Sequence, residues 1–248
     1  MTRTEFDVAV LGAGSATEAL VGHLADSDLS VVVFEPGLVG GECPFLACMP
    51  SKAMLHDVGT GRTWDEAVRR RDEIVSHLDD DEHAEGLLGR GATLVRKRAA
   101  IAGAGVVRAG GVDYAVTDIV IATGARPVAP DIDGLDLAHE RVWTSRDALT
   151  TTERPESIVM IGGGVVGSEL AYVFAGFGSK VTTLDESERP IDTFHPEVSR
   201  LIGEHLARVG VDVVNGISVE RVTLSDDHAA VHLTDGTVHR ADRILVAP

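Results

Sequence analysis

The feature that most constrains the fold is a pattern that occurs twice along the chain. Each copy has a short apolar stretch, a glycine-rich turn, a helical stretch, a second apolar stretch and then an acid. The first copy starts at residues 6–11, turns at Gly12 and reaches Glu35; the second turns at Gly162 and reaches Asp185. In both, the acid lies 23 positions after the first glycine. The pattern predicts strand, turn, helix and strand, the first half of a parallel α/β unit.

The glycines suit a particular ligand. The first permits a tight turn and the second lets the backbone approach a pyrophosphate, which the helix N-terminus faces; the acid accepts from ribose hydroxyls. These positions are Gly12, Gly14 and Glu35 in the first copy and Gly162, Gly164, Gly167 and Asp185 in the second. The first copy departs at Thr17, where the second has Gly167, and we expect its side chain to push helix and strand slightly apart.

The repeat extends beyond the turns. Residues 91–95 are echoed by residues 210–214, each followed by glycine-punctuated strands and a closing strand. We therefore predict an α/β fold with two tandem Rossmann-like dinucleotide-binding domains, each with three layers, a parallel sheet and a β-meander. The expected domains are residues 1–150 and 151–248, with residues 125–152 as the connection.

Both cysteines lie in one short stretch. Cys43 and Cys48 are five positions apart and are accompanied by Pro44 and Pro50. The prolines favour an irregular first helical turn that could bring the two thiols together, and a thiol near a helix N-terminus has its pKa lowered. The spacing favours a redox pair, but it leaves open two buried thiols that act as small apolar side chains. Zinc is less favoured, because no second Cys or His pair stands at ligand spacing.

Composition excludes some partners. The net charge of −17 argues against nucleic acid, and we expect the basic clusters at residues 69–71 and 96–98 and the acidic run at residues 79–82 to be solvated. No apolar run approaches the length of a membrane span, and the N-terminus lacks a signal-peptide pattern. We expect a cytoplasmic protein, in which paired cysteines are more often catalytic than structural.

Taken together, the two turns and the motif Gly-Gly-x-Cys-x4-Cys-x-Pro-Ser-Lys at residues 40–52 resemble one family. This is the flavin-dependent pyridine nucleotide–disulfide oxidoreductases, the group of dihydrolipoamide dehydrogenase, glutathione reductase and mercuric reductase. The resemblance covers the whole chain. It implies that the first domain binds FAD and the second NAD(P)H, and that electrons pass through the flavin to a Cys43–Cys48 disulfide. It also implies a small-molecule or protein-bound disulfide substrate, a full-length homodimer, and no metal, nucleic acid or membrane.

The same resemblance implies residue roles. Cys43 would be the interchange thiol that attacks substrate, Cys48 the thiol next to the flavin, and Lys52 would lie near flavin N5, paired with Glu169. The implied FAD contacts are Gly12, Gly14, Ser15, Glu35, Gly40, Gly41, Glu42, Lys52, Ala100, Thr123 and Gly124. The implied contacts in the second domain are Gly162, Gly164, Val165, Val166, Gly167 and Asp185, with Val219 as a further cofactor contact. Asp185 implies NADH over NADPH, because a carboxylate would repel a 2′-phosphate; Arg189 is close enough in sequence to weaken that preference.

Three features depart from the family pattern. Pro-Phe-Leu-Ala between the cysteines is bulkier than usual, which leaves the substrate undetermined, and Thr17 replaces a small residue. The sequence stops at Pro248, where family members continue into the rest of the FAD domain and a dimerisation domain that carries an acid–base His–Glu pair. We expect an N-terminal fragment that lacks this pair. His56 is the histidine nearest the cysteines, and we expect it to face solvent or cap a helix.

The preferred hypothesis is an NADH-dependent flavoprotein disulfide reductase related to dihydrolipoyl dehydrogenase. Two alternatives stay open. One is a flavin reductase that passes electrons directly to quinones or other small acceptors. The other is a nucleotide-binding module that does not turn over and uses its cysteines as a redox sensor.

Overall fold

The computed structural model describes residues 4–247. Its strands are β1 (Glu5–Leu11), β2 (Val31–Phe34), β3 (Thr93–Val95), β4 (Ala99–Gly103), β5 (Val106–Ala109), β6 (Val112–Ile121), β7 (Val142–Trp143), β8 (Ser157–Ile161), β9 (Lys180–Asp185), β10 (Asp212–Asn215), β11 (Val219–Leu224), β12 (Ala229–Leu233), β13 (Val238–Ala241) and β14 (Arg243–Val246). Its α-helices are α1 (Ser15–Leu24), α2 (Glu42–Phe45), α3 (Cys48–Asp57), α4 (Trp64–Ile74), α5 (Asp81–Gly89), α6 (Ser145–Thr150), α7 (Val165–Gly176) and α8 (Pro196–Arg208).

The first compact unit comprises the chain through Met49 together with Asp72–Ala125. Its six-stranded sheet has the order β3-β2-β1-β6-β5-β4; β3, β2, β1 and β6 are parallel, and β6, β5 and β4 are antiparallel to one another. All four side chains of β2 are buried, as expected for a strand covered on both faces. Along β1, Val10 packs with the helix side chains Val21 and Leu87, whereas Leu11 packs with the meander side chain Tyr114. Helices therefore cover one face of the sheet and the meander lies on the other.

The second compact unit comprises Pro50–Arg71 and the chain from Arg126 onward. A five-stranded parallel sheet has the order β10-β9-β8-β14-β7, and a separate antiparallel sheet has the order β11-β12-β13. Helix α7 packs Leu170 and Phe174 against the parallel sheet. The predicted α/β architecture, with a parallel sheet and a meander in each half, is confirmed.

The unit boundaries differ from the expected break at residue 150. Pro50–Arg71 belongs to the second unit because the side chain of Trp64 stacks on Phe174, with ring centroids 5.5 Å apart, and its Nε1 donates to the Thr152 carbonyl at 2.8 Å. Residues 125–152 are more than a connection, since they contain β7 and α6 and pack on the cores of the second unit. Sequence periodicity could not show this, because the docking partners are far away in the chain.

Within residues 4–247, no helix is long and apolar enough to cross a membrane.

Candidate active site

The first glycine-rich turn lies at the carboxyl end of β1. Gly14 precedes α1, whose N-terminus has no side-chain cap, and Ser15 is the first helical residue. The Glu35 carboxylate accepts hydrogen bonds from the backbone N–H groups of Ala13, at 3.0 Å, and Gly37, at 2.7 Å. The acid at the end of β2 is therefore fixed beside the turn, and the first backbone N–H groups of α1 remain available to an anionic ligand.

The second turn repeats this arrangement in the second unit. Gly164 precedes α7, which likewise has no side-chain cap, and the Asp185 carboxylate accepts from the backbone N–H groups of Gly163 and of Ser187, the latter at 2.7 Å. Val165 and Val166, at the start of α7, are about half exposed, at 48% and 47%. A phosphate group could therefore reach the helix N-terminus without displacing a packed side chain.

The two turns differ at the third small position. A Cβ atom added at Gly167 would lie 2.1 Å from the Gly162 carbonyl oxygen, so helix and turn approach too closely there for any side chain. Thr17 takes this position in the first copy, where it is fully buried and its Oγ1 donates to the Gly12 carbonyl at 2.8 Å. The Thr17 hydroxyl therefore ties the helix to the turn with a hydrogen bond, and the wider spacing expected in the first copy stays a prediction.

The cysteine stretch forms two helices with a break between them. Helix α2 ends at Phe45, the backbone N–H of Leu46 closes it on the Glu42 carbonyl at 2.7 Å, and Cys48 begins α3. Cys43 is half-buried and Cys48 is exposed. Pro50 falls in the first turn of α3, where the missing N–H costs no intrahelical hydrogen bond. The predicted irregular geometry between the prolines is therefore present as a break at Leu46 and Ala47, between the short helix that contains Cys43 and the helix that begins at Cys48.

The bulky residues between the cysteines point into the core. Phe45 and Leu46 are only 3% and 6% exposed, and they pack with Val75 and Leu38. The departure from the family pattern thus anchors this turn to the first unit, a role that the sequence alone did not reveal.

The turn and the cysteine stretch meet through glycine backbones. Gly40 donates its backbone N–H to the Ala13 carbonyl at 2.7 Å, and Gly14 and Gly40 form an isolated parallel β-bridge. Gly41 precedes α2, and Glu42 is its first, exposed residue. The structure therefore places two glycines of the cysteine motif, Gly40 and Gly41, against the backbone of the first turn.

The remaining predicted FAD contacts in the first unit are exposed. Ala100 is an exposed residue of β4, and Thr123 and Gly124 are exposed just after β6. Because β6 is the parallel neighbour of β1, Thr123 and Gly124 lie at the same sheet end as Gly12. In the second unit, Val219 is a half-buried residue of β11.

Lys52 and Glu169 pair as expected, and both belong to the second unit. The Lys52 Nζ lies 2.7 Å from each carboxylate oxygen of Glu169, and the two side chains are 59% and 29% exposed. The pair joins α3 to α7. Because the ammonium stays largely exposed, the ion pair directs it without burying it.

The Arg189 guanidinium donates hydrogen bonds to two nearby residues. Its Nη2 donates to the Asp192 carbonyl at 2.9 Å and its Nε to Ser199 Oγ at 3.3 Å, and Ser199 is fully buried. The guanidinium is therefore occupied by local partners that the sequence did not predict.

One residue of the acidic run that was expected to be solvated, Asp80, is instead buried, whereas its partner Arg96 stays exposed, with 41% of its side chain accessible. Asp80, only 9% exposed, accepts two hydrogen bonds from Arg96, at 2.5 and 2.7 Å, and one from the Val39 backbone N–H at 2.6 Å. The hydrogen bonds from Arg96 lower the pKa of Asp80, and this carboxylate in turn raises the pKa of Arg96. The acidic run gave no signal for this contact, because charge runs are usually solvated.

His83 was also missed by sequence reasoning. Its Nδ1 lies 2.6 Å from Glu18 Oε1, and its ring contacts Phe45 edge-on, with centroids 5.3 Å apart. His56, in contrast, is exposed and lies 3.1 Å from Asp57 Oδ1, in keeping with the expected surface position. Among residues 4–247, no three His, Cys, Asp or Glu side chains cluster in a way that could hold a metal ion.

Comparison with known proteins agrees with this geometry. The family model "Pyridine nucleotide-disulphide oxidoreductase" matches residues 6–248. The chain is 27% identical to a mercuric reductase of Staphylococcus aureus, over 98% of this chain and 48% of that protein. It is 30% identical to a dihydrolipoyl dehydrogenase of Acholeplasma laidlawii, over 98% of this chain and 78% of that protein. Among solved structures, it is similar to the HOCl-induced flavoprotein disulfide reductase RclA of Escherichia coli, with a TM-score of 0.89 and 27% identity over 98% of this chain and 56% of that one.

The chain therefore spans about half the length of the mercuric reductase and of RclA. Similar identities to relatives with different names leave the substrate class undecided. The family itself follows from the match over nearly the whole chain and from the two turns and the cysteine motif. This chain belongs to the pyridine nucleotide–disulfide oxidoreductase family.

Proposed function

We propose that this protein takes electrons from NADH, passes them through FAD to a Cys43–Cys48 disulfide and reduces a disulfide substrate, or runs the same reaction in reverse to oxidise a dithiol substrate, as a dihydrolipoyl dehydrogenase does. The observation that carries the proposal is the contact between the first glycine-rich turn and the cysteine stretch through Gly14 and Gly40. We assign FAD to the first unit and the pyridine nucleotide to the second. A homodimer in the cytoplasm is the setting that the family resemblance favours.

The first unit offers a cradle that fits FAD. Gly40 and Gly41 both have positive φ, and a Cβ at Gly41 would lie 2.8 Å from Gly14 Cα, so side chains are kept away from the backbone around α1. The uncapped N-terminus of α1 would bind the pyrophosphate, and the Glu35 carboxylate would accept from the ribose. The chemistry that bound FAD supplies is acceptance of a hydride from reduced nicotinamide and delivery of two electrons to the cysteine pair.

The cysteines would then carry out thiol–disulfide exchange. Two electrons and two protons convert the Cys43–Cys48 disulfide to two thiols. The Cys43 thiolate attacks a substrate disulfide, forms a mixed disulfide and releases one substrate thiol. The Cys48 thiolate then attacks the sulfur of Cys43, which releases the second substrate thiol and restores the disulfide. In dihydrolipoyl dehydrogenase chemistry the same steps run in reverse.

Two features of the second unit support NADH as the electron donor. Asp185 ends β9 beside the glycine-rich turn, where its carboxylate would accept from ribose hydroxyls and repel a 2′-phosphate. Arg189, the nearby cation that could have offset this repulsion, donates instead to Asp192 and Ser199.

Lys52, directed by Glu169, would supply a positive charge near the flavin, which favours negative charge on the reduced ring.

The proposal is tested by counting thiols after each electron donor. Unfolded wild-type protein should show two more reactive thiols after reduction with dithiothreitol than after oxidation, because it has two cysteines. In excess FAD and without oxygen, one NADH should convert the oxidised protein to the two-thiol form with uptake of one proton. The Cys43→Ser variant should gain no thiols under the same conditions.

Two results would contradict the proposal. An unchanged thiol count between oxidised and reduced protein would remove the redox pair. Undiminished NADH oxidation by the Cys43→Ser and Cys48→Ser variants, with quinones as acceptors, would show instead that the flavin reduces small acceptors directly.

A further inference from the structure

The loop that leads into Cys43 is held from outside by one end of helix α5. Asp80, the residue immediately before α5, accepts from the buried backbone N–H of Val39, and Arg96 bridges this carboxylate to the Gly37 carbonyl at 3.1 Å. Arg96 reaches both Asp80 oxygens, which is the strong two-pronged arrangement of guanidinium and carboxylate. The ion pair of Asp80 and Arg96 therefore holds the backbone just before Gly40 and Gly41.

His83, one turn further along α5, holds the other side of the same loop. A Cβ added at Gly40 would lie 2.9 Å from His83 Cγ, so the imidazole ring lies directly against the Gly40 backbone. The ring also meets the edge of Phe45, two residues after Cys43. Glu18 of α1 fixes the ring from behind through its 2.6 Å contact with Nδ1. Cys43 is thus flanked by contacts to α5 on both sides.

We propose that Asp80 and His83 are positioning residues that brace the Cys43 loop for closure of the disulfide with Cys48. This inference rests on the proposed function. Neither residue contacts substrate in the proposal; each limits the conformations open to the chain from Gly37 to Phe45. Disulfide formation is more favourable for a thiol that is already held near its partner than for one on a mobile loop, because less conformational entropy is lost as the bond forms.

The test measures the equilibrium between protein dithiol and disulfide in dithiothreitol redox buffers. In each exchange the protein loses two electrons and two protons as its S–S bond forms, and oxidised dithiothreitol gains them as its S–S bond breaks. Asp80→Asn keeps the shape of the side chain but removes its charge. We expect the equilibrium constant for disulfide formation to fall by roughly tenfold, the usual scale for a hydrogen bond to a charged group. Tenfold corresponds to about 30 mV for a two-electron couple.

The matched control is Glu82→Gln, which makes the same charge change at an exposed position two residues away. It should leave the constant within about twofold of wild type. His83→Gln, compared with the exposed His23→Gln, tests the ring contact and decides the question if Asp80→Asn does not fold. His83→Gln should lower the constant by about threefold to tenfold, on the scale of one aromatic contact.

The outcomes separate the two proposals. Constants within twofold of wild type for every folded variant at Asp80 and His83 would overturn the brace and leave the redox pair intact. An equal fall in Glu82→Gln would also overturn it, because net charge and not contact would then be responsible. A wild-type protein that forms no disulfide in any buffer would refute the proposed function, and the brace with it.

Discussion

Some charged side chains in this chain contribute little to the free energy of folding, yet their contacts fix the position of a charge. Lys52 shows the contrast: an ion pair with one side chain 59% exposed contributes about 0–1 kcal/mol to folding, yet it fixes where the ammonium points. Asp185 likewise accepts a hydrogen bond from the Gly163 backbone N–H. In the proposed complex, its negative charge would face the 2′-phosphate of NADPH. Substitutions at these residues should therefore affect ligands more than folding.

Lys52→Met should leave the free energy of unfolding within about 1 kcal/mol of wild type. NADH-dependent reduction of the cysteine pair should nevertheless slow by at least about tenfold, because a positioned charge is lost. Lys180→Met, at an exposed residue of β9, is the control and should change neither quantity. Stopped-flow rates and denaturant unfolding curves provide the two measurements. An unaltered rate in Lys52→Met would remove the lysine from the mechanism.

The Asp185→Ala variant should narrow the difference in affinity between NADH and NADPH by about tenfold, since one carboxylate no longer faces the 2′-phosphate. Asp185→Asn should narrow it similarly while retaining an acceptor for the Gly163 N–H. Glu186→Gln removes the same charge from an exposed neighbour and should have little effect. Equal wild-type dissociation constants for the two nucleotides, measured by calorimetry, would refute the assignment of NADH.

At the scale of elements, the candidate site residues cluster at helix termini. The uncapped N-termini of α1 and α7 face the glycine-rich turns, α3 begins at Cys48, and the start of α5 supports the loop before Cys43. In each case the end of a helix offers backbone groups or a side chain at a defined point. The start of α5 also gives the first unit an acid-sensitive contact.

Stability should depend on pH through Asp80. Because Arg96 lowers the pKa of Asp80 in the folded state, this carboxylate stabilises the fold above its unfolded pKa of about 3.9. That contribution is lost as the pH falls below this value and through the lowered folded pKa. Asp80→Asn should cost about 1–3 kcal/mol at pH 6, and the difference from wild type should stay nearly constant down to about pH 5 and then shrink as the pH falls below about 4.

Denaturant unfolding of wild type, Asp80→Asn and Glu82→Gln at several pH values measures this difference. The exposed Glu82→Gln variant should follow the wild-type curve closely. A constant gap between wild type and Asp80→Asn from pH 6 to pH 3 would show that the ionisation of Asp80 is not linked to folding.

At the scale of the whole molecule, the chain is two compact units built on the same plan but not divided where the repeat divides. Pro50–Arg71 follows the cysteine stretch in sequence yet packs with the second unit through Trp64 and Phe174. The antiparallel strands are also attached differently in the two units. In the first, β6 belongs to both the parallel sheet and the meander, whereas the second has a separate three-stranded sheet.

The sequence by itself determined the strand–turn–helix–strand repeat, its two acids and the cysteine stretch, and its resemblance to the family predicted the pairing of Lys52 with Glu169. Local periodicity and glycine geometry dictate the repeat, and the family motif supplied the ion pair. Tertiary structure alone decided that Asp80 is buried and pairs with Arg96, that His83 lies between Glu18 and Phe45, and that Pro50–Arg71 packs with the second unit. The physical reason is that charge runs and single histidines carry no periodic signal. Their role depends on which distant backbone and rings the fold brings within a few ångströms.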